Sequence, residues 1–135
     1  MSMKKKFLCP HCGGLLSDQN GVHLNVVNGR IDQKGKIILS KELGNYEVKK
    51  SPLLGWQNGD QLTVSCIHKK CVLNLVNDSK KAAVVLQEDG KTSRIVFSTV
   101  IGDHLTYKIE KDAHVTHYGK ANPNEGKDLW SQFTW

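Results

Sequence analysis

The chain contains no long apolar segment. Its longest apolar stretches, such as residues 36–39 and 82–86, are far shorter than the roughly 20 residues that cross a bilayer. In the basic opening over residues 1–8, the apolar segment that follows the lysines is only two residues long before Cys9, which disfavours a secretory signal. We therefore expect a cytoplasmic protein that does not span a membrane.

Arginine is scarce. Of the 19 basic residues only Arg30 and Arg94 are arginine, so the net charge of +6 comes almost entirely from lysine. Proteins that read base edges rely on the bidentate fork of arginine, whereas lysine contacts phosphate as a point charge. The composition disfavours sequence-specific reading of nucleic acid and leaves phosphate contact open.

Linear motifs of catalysis are absent. The chain has no Gly-x-Ser-x-Gly, no phosphate-binding loop, no His-Glu-x-x-His and no dinucleotide fingerprint. We expect a non-enzymatic protein, with an enzyme whose site leaves no linear trace as the third alternative. Without internal repeats or low-complexity tracts, the 135 residues are expected to form a single domain, 1–135.

What the chain does have is a regular series of turn signals. Asn-Gly, Lys-Gly, Asp-Gly and Gly-Asp pairs recur every eight to twelve residues or so, which is typical of an all-β domain. Residues 62–66 alternate apolar and polar, as a half-buried strand does. The sequence predicts about eight strands in a mainly β fold with little helix, built as a small antiparallel β-sandwich or barrel.

Two hairpins are predicted. Residues 84–86 and 94–97 flank Asp89-Gly90, which supplies the positive φ that a tight reversal requires. Residues 105–109 and 115–118 flank a turn over residues 111–113 that lacks glycine. The best helical candidate is a turn or two near the end of the chain, where Leu129, Trp130 and Phe133 share a face.

Four cysteines form two local pairs, Cys9 with Cys12 and Cys66 with Cys71, separated by 53 residues. A tight turn with a cysteine at each end supplies two thiolates, and two such turns complete a tetrahedral zinc shell. Gly13-Gly14 after the first pair allows backbone amides to fold over the sulfurs. We predict one structural Zn²⁺ at a site formed by residues 7–16 and 62–74.

These pairs resemble the zinc-ribbon class, in which two cysteine turns on β-hairpins hold one metal ion. The resemblance covers residues 9–14 and 66–71 and extends to small bacterial proteins that carry a zinc ribbon on a β domain. It implies a metal site and nothing about substrate. Because the pairs are farther apart than in a minimal ribbon, we expect the ribbon to be joined to a larger β-sandwich or barrel.

Other interpretations of the cysteines remain open. Cys-Pro-His-Cys also matches the redox motif of thioredoxin-like enzymes, although the β-α-β flanks of that fold are missing. Iron accepts the same four thiolates. Structural disulfides would require an oxidising compartment. His11 and His68 lie at the turn apices, where we expect them to point away from a metal.

Lysine clusters adjoin the predicted metal turns. Their simplest role is to balance the negative charge of a four-thiolate zinc centre; the alternative is a basic surface that contacts nucleic-acid phosphates. The possible phosphate or partner contacts are Lys4, Lys5, Lys6, Lys69 and Lys70. The other candidate partner is a protein or a second copy of the chain, bound by the aromatic C-terminus, Trp130, Phe133 and Trp135.

Overall fold

The computed structural model describes residues 5–120 and Leu129. These residues form ten strands, two more than expected, and the mainly β prediction with little helix is confirmed. Among them, no helix has the length and hydropathy needed to cross a bilayer. The strands are β1 (Lys5–Leu8), β2 (Ser17–Asp18), β3 (Gly21–Asn28), β4 (Gln33–Leu39), β5 (Val48–Lys50), β6 (Leu62–Ser65), β7 (Lys81–Glu88), β8 (Lys91–Ser98), β9 (Leu105–Glu110) and β10 (Val115–Gly119).

The strands form two antiparallel sheets. The first sheet has the order β1-β7-β8-β9-β10. The second sheet has the order β2-β3-β4-β5. Its fifth strand, β6, also pairs with β3, along a different part of that strand from β2. The sheets are not closed into a barrel, so the barrel form of the prediction is wrong. Strand β10 is an edge strand of the first sheet, and β5 is an edge strand of the second.

Both predicted hairpins are confirmed. Strands β7 and β8 pair up to Glu88 and Lys91, and the two turn residues Asp89 and Gly90 have φ of 52° and 77°. Positive φ at both positions is the type I′ geometry, whose twist matches that of the flanking strands. Strands β9 and β10 are joined through Ala113, which adopts a φ of 71° without being glycine.

The main core lies between the two sheets. Alternate residues of β3 face inward, and the neighbouring β6 contributes in the same way because side chains on a strand alternate between faces. The first sheet supplies the opposing layer from β1, β7 and β8. The fully buried members of this core include Phe7, Leu16, Leu24, Val26, Leu54, Val64, Leu73 and Leu86.

A smaller apolar cluster covers the other face of the first sheet. It joins Ala83, Val96, Tyr107 and Ile109 with Leu129, which is helical and only 3% exposed. Leu129 is the single described residue of the predicted C-terminal helix. The rest of that segment, with its three aromatic residues, lies outside the described residues.

A buried carboxylate holds the turn between β3 and β4 against the loop before β6. Asp60 Oδ1 accepts a hydrogen bond from Arg30 Nε at 2.5 Å. Its Oδ2 accepts bonds from Asn28 Nδ2 at 2.9 Å and from the Gln57 amide at 3.0 Å. The Arg30 guanidinium, followed by these amides, holds the pKa of the Asp60 carboxyl well below its usual range despite the opposing effect of burial.

We expect the Asp60 network to make the stability of the folded protein depend on pH. Because the folded-state pKa of Asp60 is depressed, its contribution is present above the unfolded pKa of about 3.9 and is lost as pH falls toward the folded pKa. Asp60→Asn should lower the urea midpoint at neutral pH, and its midpoint should fall less than that of the native chain as pH drops below about 5. Asp32→Asn, an exposed carboxylate in the same turn, is the control. Equal pH dependence of the native and Asp60→Asn chains would show that this network does not titrate with folding.

Candidate metal centre

The first cysteine turn continues directly from β1. Leu8 pairs with Leu15 across the turn, and the Cys9 amide donates to the Gly14 carbonyl at 2.9 Å. The Gly13 amide donates back to the Cys9 carbonyl at 2.9 Å, with Gly13 at a φ of 73°. Glycine is favoured here because this left-handed conformation is unfavourable for residues with a Cβ.

Backbone amides of the first turn point at a sulfur. The amides of His11 and Cys12 lie 3.4 and 3.5 Å from Cys9 Sγ. Hydrogen bonds of this kind stabilise a thiolate and orient it toward a metal. The role predicted for the glycine pair therefore has a geometric basis.

The second turn repeats this arrangement with a wider loop. Ser65 pairs with Val72, and the Cys66 amide donates to the Cys71 carbonyl at 3.0 Å. Cys66 Sγ accepts from the amides of Lys69 and Cys71 at 3.4 and 3.3 Å. The left-handed position is occupied by Lys70, with a φ of 56°, so this turn forms without glycine.

The two turns bring all four sulfurs together. The Sγ atoms of Cys9, Cys12, Cys66 and Cys71 all lie within 4.8 Å of one another, and the Cys12–Cys66 sulfur distance is 3.8 Å. Tetrahedral zinc with bonds of about 2.3 Å requires sulfurs about 3.8 Å apart. All four cysteines are free, so none is in a disulfide. The cluster has the donor set and spacing to hold one metal ion.

The thiols perturb one another strongly. Burial, followed by hydrogen bonding to the thiols of Cys66, Cys9 and Cys12, raises the pKa of Cys71 to about 12. Burial also raises the pKa of Cys9. At Cys66 burial has the same upward effect, but the backbone N–H donors outweigh it and lower the pKa to about 6. Four thiolates at neutral pH therefore need a cation among them, which is what a divalent metal supplies.

The cluster lies where the two sheets join. The first turn carries the chain from β1 of the first sheet to β2 of the second. The second turn leads from β6 of the second sheet to residues 72–75, which bond to β7 of the first sheet through the Leu75 amide and the Lys81 carbonyl at 2.8 Å. Each turn thus crosses between the sheets, and a bound metal would tie both crossings together.

The two turn histidines are outside the sulfur cluster. His68 instead reaches the other turn: its Nε2 lies 2.6 Å from the Leu15 carbonyl oxygen, and its ring covers Gly14. A carbonyl can only accept, so Nε2 carries the proton in this bond. Sequence inspection missed this contact, because nothing local in the chain relates His68 to residues 14–15.

The lysines predicted as contacts are placed differently from one another. Lys69 and Lys70 are exposed on the second turn. Lys5 and Lys6 are consecutive in β1 and so point to opposite faces; Lys6 is exposed, whereas Lys5 lies 4.0 Å from a Glu88 carboxylate oxygen. Lys4 is outside the described residues. Lys5 and Lys6 therefore face opposite sides of β1.

Comparison of the chain with models of protein families, with curated protein sequences and with solved structures gave no match. The similarity to a zinc ribbon accordingly consists of the cysteine arrangement itself. It is compatible with a zinc-ribbon-like site and identifies no family.

Loss of one ligand should remove the metal and destabilise the fold. We expect purified native protein to contain about one zinc per chain by elemental analysis, and Cys66→Ser to contain little, because three thiolates bind far more weakly than four. Thermal unfolding should show a loss of about 4 kcal/mol or more in Cys66→Ser, a size restricted to a few mechanisms that include metal loss. The control is His11→Ala, which changes a residue of the first cysteine turn that does not belong to the sulfur cluster and should therefore retain the metal. A metal-free native protein that is equally stable after chelation would contradict the assignment.

A double-mutant cycle should show that Gly14 and His68 act together. A Cβ on residue 14 would lie 2.4 Å from His68 Cδ2, so Gly14→Ala must displace the exposed ring and break its bond to Leu15. We expect Gly14→Ala and His68→Ala each to cost about 1 kcal/mol, and the double variant to cost no more than either. At Gly13 an added Cβ would have no atom within 4 Å, so Gly13→Ala should cost about 1 kcal/mol only because of the positive φ. This cost should add fully to that of His68→Ala. Full additivity of Gly14→Ala with His68→Ala would exclude this coupling.

Proposed function

We propose that the chain is a non-enzymatic binding module whose two sheets are tied together by one structural Zn²⁺ at Cys9, Cys12, Cys66 and Cys71. The convergence of four sulfurs from two distant turns supports this proposal. A closed shell of four thiolates leaves no coordination position for a reacting water, so the metal serves the fold. Zinc is preferred to iron because it is the usual ion of structural Cys₄ sites. Free thiols also fit a reducing compartment such as the cytoplasm.

The proposed partner is nucleic acid, contacted through its phosphates. The exposed lysines Lys6, Lys69 and Lys70 support this, since none of them forms an ion pair with a carboxylate among the described residues. Lys69 and Lys70 also sit on a turn whose backbone is fixed by bonds to Cys66 Sγ. A rigid turn presents its ammonium groups with less loss of conformational entropy on binding than a mobile loop does.

The chemistry of the proposed contact limits its specificity. Lysine supplies a point charge without the planar fork that reads guanine, so recognition is directed at the backbone and not at base edges. The protein-partner alternative concerns residues 130–135, which lie outside the described residues. It remains a prediction from the sequence.

Binding should depend on salt and on the lysines of the second turn. Fluorescence anisotropy with a labelled single-stranded oligonucleotide should show an affinity that falls as salt rises, with a log–log slope of roughly 0.7 per phosphate contact. Lys69→Gln with Lys70→Gln should reduce this slope by up to twice that value, because two contacts are removed.

The matched control removes two exposed lysines from hairpin turns, Lys91→Gln with Lys111→Gln, which changes the net charge by the same amount. The control should retain most of the affinity of the native chain. Absence of salt-sensitive binding, or an equal loss in both double variants, would rule out a phosphate-binding surface at the metal turn.

A further inference from the structure

A cavity of about 390 Å³ lies between the two sheets. Its walls include buried apolar side chains from both sheets, Phe7, Val64, Val84 and Ile95, and the partly exposed Trp56. The volume is at the lower end of the range of about 300–1,000 Å³ for small-molecule pockets, which are mostly apolar with a few polar groups. None of the four cysteines lines it, so it is separate from the metal centre.

Two loops border this cavity, residues 40–47 from the second sheet and residues 99–104 from the first. The rings of Tyr46 and His104 stack between them, with centroids 4.6 Å apart and planes within 3°. Thr106 Oγ1 also lies 3.3 Å from Tyr46 Oη. These contacts hold the loops in place across the open side of the sheets, so the cavity is preformed.

Carboxylates are the only side chains of fixed charge in the lining of the cavity, although Lys50 Nζ lies 5.7 Å from the ring centroid of Trp56 in its wall. Glu42, Glu47 and Asp103 line it and are exposed, whereas no lysine or arginine belongs to its lining. The chain as a whole carries a net charge of +6. A concave site whose lining carries carboxylates and neither lysine nor arginine attracts cations and repels organic anions, against the overall charge of the protein.

We infer that this cavity binds a small amphipathic cation, a compact apolar ring system that carries a protonated amine. The apolar body occupies the space between Phe7, Val64 and Trp56, where burial of its surface is favourable. The ammonium group remains at the edge of the cavity, beside Glu42, Glu47 and Asp103, where it keeps partial contact with water. The small volume excludes long-chain lipids in favour of one or two fused rings.

Two probes that share a naphthalene ring and carry opposite charges test this inference. Calorimetric titration should show that 2-naphthylmethylamine binds saturably and at least about tenfold more tightly than 2-naphthoate, since three exposed carboxylates each add a weak ion-pair contribution. Equal or tighter binding of naphthoate, or no saturable binding of the amine up to about 1 mM, overturns the proposal.

Two sets of variants locate the binding. Glu42→Gln with Glu47→Gln and Asp103→Asn should reduce the preference for the amine to about twofold or less, because the carboxylates are lost while the walls remain. The control, Asp32→Asn with Asp89→Asn and Asp112→Asn, changes the same charge at exposed turns outside the lining and should leave the preference intact. Equal effects of both triple variants overturn the assignment to this cavity.

A substitution that fills the cavity tests whether the apolar body of the ligand binds there. Leu43→Trp should occupy the cavity and weaken amine binding at least about tenfold, whereas Leu53→Trp, at a residue that is 91% exposed and outside the lining, should not. Equal affinities in the two variants overturn the proposal. If thermal unfolding shows that Leu43→Trp is not folded, the carboxylate variants alone decide whether the amine binds in this cavity.

Discussion

The convergence of four sulfurs at the junction of the two sheets is the constraint on which the rest of the structure depends. Each cysteine pair occupies a turn at which the chain crosses from one sheet to the other, and the pairs are 53 residues apart. Bringing such distant segments together has an entropic cost that a metal cross-link would offset, as it does in other small metal-bound domains. The His68 bond to Leu15 adds a second, weaker connection between the same turns.

On the side away from the cysteine cluster, the edges of the two sheets are not joined by strand pairing. There the edge strands β5 and β10 do not pair, and the stacked rings of Tyr46 and His104 connect the intervening loops instead. The cavity between the sheets is the result of this geometry. The cysteine cluster and the cavity thus have separate positions: a metal bound at the first would hold the sheets together, and the second is an apolar space lined in part by acidic residues.

Features encoded locally could be predicted from the sequence. Alternation of apolar residues identified β6, the Asp89-Gly90 pair identified the β7–β8 turn, and the paired cysteines identified the four sulfurs that the fold brings together. Features that depend on distant residues could not be predicted. The contact of His68 with Leu15 and the open rather than barrel-like arrangement both arise from how remote segments meet, and no local pattern reports this.

X-ray absorption at the zinc edge, on protein purified without added metal, measures the central interaction most directly. Our account requires a single shell of four sulfur atoms at about 2.3 Å from each zinc, with no nitrogen or oxygen neighbour. A shell that contains histidine nitrogen or water, or fewer than four sulfurs per metal, would contradict it, because the two turns would then not meet at one closed centre.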